Sequence, residues 1–202
     1  MQQQSKTRWN ARYLAVTAIM AAIATVLMML SFSIPLVPSF LKLDFSEFPA
    51  LIAAFALGPV SGAAVCFLKN FINVFSSSTG GAGELCNFLM GLTFVVPAGL
   101  IYRKKKTLKG AVIASLLGAL IMAVCSVPLN YFISYPAYAA FFGMTTDKVM
   151  ALYQAILPSV KTLPQALIVF NAPFTLFKGL CDVLLTFLIY KRISPILKGV
   201  KK

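Results

Sequence analysis

A long apolar run near the beginning of the chain is the feature that most limits how this sequence can fold. No charged side chain occurs from Tyr13 to Leu30, and a run of that length is enough to cross a bilayer as a helix. The run is too long for the apolar part of a secretory signal, and no small-residue cleavage site follows it. The composition agrees, because 59% of the 202 residues are hydrophobic and 11% are charged. The sequence therefore predicts an all-α integral membrane protein.

The basic residues are concentrated at the ends of apolar segments. The net charge is +13, and none of the five acidic residues lies in a basic cluster. Thirteen of the eighteen basic residues form three clusters, which are Lys6, Arg8 and Arg12; Arg103, Lys104, Lys105, Lys106 and Lys109; and Lys191, Arg192, Lys198, Lys201 and Lys202. Positive charge flanking apolar segments is typical of the cytoplasmic ends of membrane helices. The pattern favours a topology signal over a surface that binds nucleic acid.

Loop signals divide the chain, 1–202, into one membrane domain with six predicted transmembrane segments. The segments cover about 11–31, 47–57, 60–75, 84–102, 109–132 and 164–190, and a short surface helix covers about 146–157. The second segment is short, so we expect it to span poorly or to combine with the loop before it. The uncharged run after the fifth segment continues to Thr146, and we expect Pro128 and Pro136 to interrupt it. An even number of spans places both termini, with their basic clusters, on the cytoplasmic side.

A stripe of small residues marks one face of the first segment. Ala11, Ala15, Ala18 and Ala22 are spaced by 4, 3 and 4 residues, which places them on one side of a helix. A smooth alanine face allows another helix to approach closely. Two interpretations remain open from the spacing alone: packing within this chain, or docking of a partner membrane protein.

Four ionisable residues lie in or near predicted spans, namely Lys69, Glu84, Lys178 and Asp182. Charges inside a membrane protein need partners and are hypotheses for functional sites. Lys178 and Asp182 are four residues apart and face the same way, so they are candidates for a pair; the alternative partner of Lys178 is Glu84. Glu84 itself follows the glycine-rich stretch "TGGAG", and its candidate partners are Lys69, Lys178 and the N-terminal amides of its own helix.

Amides and aromatic rings mix in several segments, which suggests a pocket for a small molecule. Asn130 and Asn171 lie in or near spans, where an amide needs hydrogen-bond partners. An amide both donates and accepts hydrogen bonds, which matches a heterocycle with carbonyls and ring nitrogens. The alternative is that these asparagines cap helices or join them to each other. The chain has no histidine, its four cysteines are scattered among apolar residues, and it has no phosphate-binding loop. A transporter driven by ATP would therefore need its ATPase on another chain, and we expect neither a metal site nor catalytic residues.

The most specific sequence motifs resemble those of the riboflavin-binding S-components of energy-coupling factor (ECF) vitamin transporters. The motifs are "KLDFSEFPALIAAFALGPVSG" (42–62), "FLKNFIN" (67–73), "GELCNFLMG" (83–91) and "NAPFTLFKGLCDVLLTFLIYKRISPILK" (171–198). The resemblance extends over nearly the whole chain. It implies six membrane helices and a vitamin site near the outer face, capped by the loop between the first two segments.

The same resemblance implies particular binding residues and partners. It assigns polar contacts with the flavin ring to Asn130, Asn171 and Lys178, places Glu84 and Asn87 in a matching motif, and places Leu43, Asp44 and Phe45 in the lid-like loop. Riboflavin would be a transported substrate and not a cofactor. The implied partners are a transmembrane coupling subunit, which would meet the alanine face, and two cytosolic ATPases, in a bacterial-type cell membrane.

Three other functions remain as alternatives. These are an S-component for a different vitamin, a membrane-embedded enzyme such as a phosphotransferase, and an assembly subunit without a ligand. The absence of histidine and of clustered carboxylates argues against the enzyme. An assembly subunit would gain no thermal stability from any vitamin.

Overall fold

The computed structural model describes residues 11–77 and 79–198, with side chains as far as residue 189. Lys6, Arg8, Lys201 and Lys202 of the predicted basic clusters lie outside the described residues, as do the side chains of Lys191, Arg192 and Lys198. The helices are α1 (Ala11–Met29), α2 (Glu47–Ala56), α3 (Pro59–Val74), α4 (Ala82–Lys104), α5 (Leu108–Leu129), α6 (Tyr135–Phe142), α7 (Thr146–Gln154), α8 (Leu163–Ala166) and α9 (Ala172–Lys198). The strands are β1 (Phe32–Ser33) and β2 (Lys42–Leu43).

Four helical stretches within the described ranges are long and apolar enough to cross a membrane. They are Ala11–Met29, Ala82–Lys104, Leu108–Phe142 and Leu163–Ile189. Large apolar side chains cover their outward faces, as Ile19, Phe132 and Leu184 illustrate, which suits contact with lipid. The fold is therefore a bundle of apolar helices, and the small β1–β2 pair is its only strand structure in the described part of the chain.

The short helix α2 forms the centre of the bundle. It contacts α1, α3, α4 and α9, and Leu51 and Ile52 are both buried. Ten residues rise only about 15 Å, half the thickness of the hydrocarbon core. A helix that is apolar on every side is stable when other helices surround it. The sequence "GP" (58–59) ends α2 and begins α3, with Gly58 at a φ of 114°.

Close helix packing around α2 depends on a glycine in α3. A Cβ atom at Gly62 would lie 2.4 Å from a methyl group of Val95 on α4 and 2.7 Å from the Cβ of Ala54 on α2. Real carbon atoms do not approach so closely, so a larger residue at position 62 would push three helices apart. This close contact brings α3 and its Lys69 next to the beginning of α2.

The chain remains helical across the two prolines that were expected to interrupt it, so that expectation was wrong. Leu108–Phe142 is helical throughout, and a π-helical turn, Asn130–Ser134, joins α5 to α6. Proline has no amide hydrogen to donate, and the wider π-helical turn lets the helix continue around the missing hydrogen bond. A second π-helical turn, Leu167–Asn171, joins α8 to α9. Each π-helical turn contains one of the two asparagines that the sequence singled out.

One end of the bundle is covered by α7 and by the loop between α1 and α2. Strands β1 and β2 pair in an antiparallel manner within this loop, with Phe32 opposite Leu43. The loop residue Phe40 packs edge-on against the ring of Tyr153 on α7 at 5.7 Å between centroids. The N-terminal end of α4 lies on this side, and the exposed basic cluster 103–109 lies at the other end of α4.

Candidate functional site

A cavity of about 720 Å³ lies beneath the loop that precedes α2, among the ends of α1, α3, α4, α5 and α9. Cavities of this size hold small organic ligands. Six of the eight predicted binding residues line it, namely Asp44, Glu84, Asn87, Asn130, Asn171 and Lys178. The other two, Leu43 and Phe45, are not among its lining residues: Leu43 is buried at the end of β2, and the ring of Phe45 packs against Phe32. The structure thus collects residues that are far apart in the sequence into one site.

Lys178 on α9 pairs with two carboxylates at the floor of the cavity. Its ammonium nitrogen lies 2.9 Å from Asp44 Oδ2 and 3.1 Å from Glu47 Oε2, and it donates to Asn87 Oδ1 at 3.5 Å. Among the described residues, Lys178 makes no ion pair with Asp182 or Glu84, so both predicted pairings were wrong. Spacing along α9 identified a local candidate, but the fold brings closer acids from the loop and from α2.

A second lysine completes this group, which we call the charged cluster (Asp44, Ser46, Glu47, Lys69 and Lys178). Lys69 on α3 donates to Glu47 Oε1 at 2.5 Å and also to the Ser46 hydroxyl. The Ser46 hydroxyl and amide both donate to Asp44 Oδ1. The four ionic groups form two positive and two negative charges, so the cluster is balanced without a ligand. Paired and hydrogen-bonded charges are the form in which buried ions are tolerated.

The lysines keep Asp44 ionised despite its burial. Burial alone raises the pKa of a carboxyl group, but the Lys178 and Lys69 ammonium groups and the Ser46 hydroxyl lower the pKa of Asp44 to about 2. Asp44 belongs to the loop, whereas Lys178 belongs to α9. The ion pair therefore ties the loop over the cavity to the helical bundle.

Glu84 has different partners from those expected. Its Oε2 atom accepts hydrogen bonds from Ser77 Oγ at 2.6 Å and Thr79 Oγ1 at 3.1 Å, so the lysines proposed as its partners were wrong. Glu84 does lie in the first turn of α4, where a carboxylate is favourable. The same hydroxyls accept from the backbone amides of Gly81 and Gly83. Glu84 therefore holds the glycine-rich turn in place and also lines the cavity.

Asn171 is part of a neutral network, which we call the tyrosine–asparagine cluster (Tyr135, Tyr153 and Asn171). The Tyr153 hydroxyl donates to Asn171 Oδ1 at 2.5 Å, and Asn171 Nδ2 donates to the Tyr135 hydroxyl at 3.2 Å. The two tyrosine hydroxyls also share a hydrogen bond. Burial raises the pKa of Tyr153, which keeps its hydroxyl protonated as a donor. Asn171 thus joins α7 to the transmembrane helices.

Asn130 presents a freer amide to the cavity than Asn171 does. Its Nδ2 donates to the backbone carbonyl of Ser126 at 2.7 Å, which leaves its carbonyl oxygen available. Asn130 is the first residue of the π-helical turn and lines the cavity. Asn87 adds another amide to the lining, from α4. The apolar part of the wall comes from methionines and aromatic rings, including Met28, Met90, Met122, Phe40 and Phe174.

Several residues of the site were not predicted. Glu47 and Ser46 lie inside the quoted motif "KLDFSEFPALIAAFALGPVSG" (42–62), so that motif was the available signal for the charged cluster. Tyr135, Tyr153 and Phe40 carried no periodic or motif signal, because their contacts depend on how α7 and the loop fold back. Within the described part of the chain, no group of three or more metal-binding side chains occurs.

The alanine stripe lies on the outside of α1. Ala11, Ala15, Ala18 and Ala22 are all exposed, whereas Thr17, Met20 and Ala24 face the bundle. Packing within the chain therefore does not use the stripe in this structure. Its role in docking stays a prediction.

Comparison with known proteins agrees with the architecture of the bundle and the cavity. The sequence matches the family "ECF transporter, substrate-specific component" over residues 12–190. The riboflavin transporter FmnP of Bacillus subtilis (strain 168) is 32% identical over 185 residues, which cover 90% of this chain and 92% of that protein. The riboflavin transporter RibU of Staphylococcus aureus (strain TCH60) is 32% identical over 195 residues, covering 95% and 94%.

Solved structures give the same result. A structure of the S component of a bacterial ECF transporter superimposes with a TM-score of 0.72 at 32% identity, covering 92% of this chain and 97% of that one. ThiT from Listeria monocytogenes, at 19% identity and a TM-score of 0.62, shows the shared fold alone. The relatives are transporters and not enzymes, and the resemblance predicted from the motifs is confirmed. The chain belongs to the family of substrate-specific components, or S-components, of ECF transporters.

Proposed function

We propose that this chain binds riboflavin with high affinity in the cavity beneath the loop and delivers it as the substrate-specific subunit of an ECF transporter. One observation carries the proposal. A cavity of about 720 Å³ with apolar walls and convergent polar groups occurs in a chain that is 32% identical to riboflavin transporters over nine-tenths of its length.

The lining suits the chemistry of riboflavin, which is flat, amphipathic and neutral. Methionines and aromatic rings offer apolar surface to the ring system. Asn87 and Asn130 offer amides to ring carbonyls and nitrogens. Lys178 is already balanced by Asp44 and Glu47, so a ligand without net charge enters without leaving a buried charge uncompensated.

The binding residues we propose are Asn130, Lys178, Asn87, Glu84 and Asp44 as lining groups, with Asn171 contributing from within the tyrosine–asparagine cluster. Leu43 and Phe45 are proposed to contribute through the loop, since they flank Asp44. Tyrosines occupy both the oxygen and the nitrogen of the Asn171 side-chain amide. We therefore propose that Asn171 contributes by holding Tyr135 and Tyr153 in position.

Thermal stabilisation by a panel of vitamins tests the choice of ligand. Purified full-length protein is heated with riboflavin, flavin mononucleotide, pantothenate or folate at equal concentration. At equal concentration the ligand with the lowest Kd stabilises the protein most, so riboflavin should give the largest increase in melting temperature. A ligand at 100 times its Kd adds about 2.7 kcal/mol to the free energy of unfolding. Greater stabilisation by pantothenate or folate would assign the cavity to a different vitamin, and no stabilisation by any of them would favour an assembly subunit.

We further propose that the chain is a single domain with six membrane-crossing segments and cytoplasmic termini in a bacterial plasma membrane. The four long apolar helices, together with α3 and with the buried α2 combined with the loop before it, would make up the six. The exposed basic cluster between α4 and α5 supports a cytoplasmic α4–α5 connection. A transmembrane coupling subunit would dock on the exposed alanine stripe of α1, and two cytosolic ATPases would supply the energy.

A further inference from the structure

Asp182 is a buried acid that the charged cluster does not use. It lies on α9, one helical turn after Lys178, and none of its surface is exposed. Its Oδ1 atom accepts a hydrogen bond from the backbone amide of Phe48 at 3.0 Å. Its Oδ2 atom is buried with no hydrogen-bond partner among the described residues. Oδ1 therefore joins α9 to α2, whereas the structure gives Oδ2 no corresponding contact.

The bond to Phe48 supplies a cap that α2 otherwise lacks. The first amides of a helix have no partner within it, and the Ser46 side chain makes no capping bond to them. Pro49 has no amide hydrogen, and the amide of Phe48 in this first turn points to a side chain of α9. Asp182 supplies that cap from another helix. The turn it fixes carries Glu47, which pairs with both Lys69 and Lys178.

The charges around Asp182 leave no partner for a third carboxylate. The titratable groups in electrostatic reach are Glu47 on α2, Cys66 and Lys69 on α3, Lys178 and Cys181 on α9, and Asp44 in the loop. Lys69 and Lys178 already make short ion pairs with Glu47 and Asp44. A third ionised acid would give the buried group a net charge of −1.

The relative costs decide between the two states of Asp182. An uncompensated ion in a protein interior remains costly even after the surroundings relax, because a full charge has lost its hydration. A neutral hydroxyl without a partner costs less, because only a dipole is left unpaired. The neutral acid keeps its bond to Phe48, because that bond requires only a carbonyl oxygen.

We propose that Asp182 holds a proton on its unpartnered oxygen and acts as a neutral positioning residue, which caps α2 and so fixes Glu47 beneath the cavity. The protonation state does not depend on the identity of the ligand. Its effect on ligand affinity rests on the proposed function in riboflavin binding.

Infrared spectroscopy tests for the proton directly. Full-length protein in lipid nanodiscs without ligand should show the C=O stretch of a protonated carboxylic acid at neutral pH, shifted downward in D2O. The band should disappear in Asp182→Asn. Asp147→Asn, which makes the same chemical change at an exposed acid on α7, should leave it in place. No such band in the unmodified protein, or a band that persists in Asp182→Asn, would overturn the proposal.

Riboflavin affinity tests the positioning role. Asp182→Asn keeps a carbonyl oxygen for Phe48 and replaces the titrating hydroxyl with a neutral amide nitrogen, so its Kd should stay within about threefold. Asp182→Leu removes the acceptor and should weaken binding about tenfold or more. Equal loss in the two variants would mean that a negative charge is needed, which contradicts a neutral residue. If the unmodified protein failed to bind riboflavin, the proposed function would fall, and the infrared result would still decide the proton.

Discussion

The charged cluster and the tyrosine–asparagine cluster both bury polar groups at the cavity, but they do so by different chemistry. In the charged cluster, Glu47 serves two lysines at once, at 2.5 Å and 3.1 Å. In the tyrosine–asparagine cluster, three neutral groups share hydrogen bonds. Removing one member of a buried ion pair leaves a charge behind, whereas removing one neutral partner leaves only an unsatisfied dipole.

The loop and α7, which together cover the cavity, are attached to the bundle by these two different kinds of interaction. Asp44 ties the loop to α9 by an ion pair, and Tyr153 ties α7 to Asn171 by neutral hydrogen bonds. Phe40 of the loop contacts both Tyr135 and Tyr153, so the two attachments are joined by aromatic packing. The charged attachment should respond to pH and the neutral attachment should not.

The largest effect is expected for Glu47→Gln. The substitution leaves Lys69 without its carboxylate and Lys178 with only Asp44, and loss of one partner from a buried ion pair costs about 3–5 kcal/mol. Unfolding in mixed detergent or by heat measures the change. The matched control is Glu84→Gln, because Glu84 is half-buried and, within the described ranges, its carboxylate accepts hydrogen bonds from hydroxyls alone; it should cost much less. Equal destabilisation by the two substitutions would remove the distinction between ionic and neutral burial.

Acid should weaken the charged attachment selectively. The pKa of Asp44 falls from its ordinary value of 3.8 to about 2 in the folded protein. A lowered pKa contributes stability that is complete above the unfolded value and is lost as the pH falls through the folded value. The contribution is about 2 kcal/mol and should disappear between about pH 5 and pH 2. Unfolding measured across this range in the unmodified protein and in Asp44→Asn should show that only the former loses this contribution. Parallel curves would contradict the ionised state of Asp44.

Asn171→Ala should have an intermediate effect and act through the neutral cluster. It leaves the hydroxyls of Tyr135 and Tyr153 without their amide partner, which should weaken ligand binding by about 1–3 kcal/mol. Tyr153→Phe keeps the ring against Phe40 and removes only the hydroxyl, so it should give a similar or smaller loss. Isothermal titration with riboflavin measures both. Unchanged affinity in both variants would show that this cluster does not shape the site.

Ala18→Leu should affect neither cluster in the isolated chain. Ala18 is exposed on α1, so riboflavin binding by the purified subunit should change by less than about 0.5 kcal/mol. Transport by the assembled complex should fail, because leucine would separate the alanine face from the coupling subunit. Ile23→Leu, at an exposed position of α1 away from the stripe, is the matched control and should transport normally. Normal transport by Ala18→Leu would mean that the docking face lies elsewhere.

The sequence predicted those parts of the molecule that depend on local pattern. Apolar runs identified the long helices, because a membrane helix needs about 20 apolar residues in succession. Motif similarity identified the family and six residues that share the cavity. The pairing of charges was not predictable in this way: Lys178 and Asp182 satisfy the spacing rule, yet Lys178 meets Asp44 and Glu47, which are more than 130 positions away.

The remaining errors have a similar cause. The π-helical turn after Pro128 lets the chain stay helical where Pro128 and Pro136 were expected to break it, and packing against neighbouring helices stabilises that turn. The partners of Glu84 are the hydroxyls of Ser77 and Thr79, which the folding of the chain before α4 brings to it. The tyrosine–asparagine cluster forms because α7 folds back over the bundle. Each of these features is set by tertiary contacts, which single-sequence periodicity does not encode.

Quenching of riboflavin fluorescence by the purified, full-length protein tests the central claim most directly. Titration of protein into a fixed concentration of riboflavin should quench the flavin in a saturable way, with one ligand bound for each chain and a Kd well below micromolar. Asn130→Leu, which removes the freer amide from the cavity wall, should raise the Kd and so shift the quenching curve to higher protein concentration. No quenching at micromolar concentrations of protein and ligand would contradict the assignment of this cavity to riboflavin.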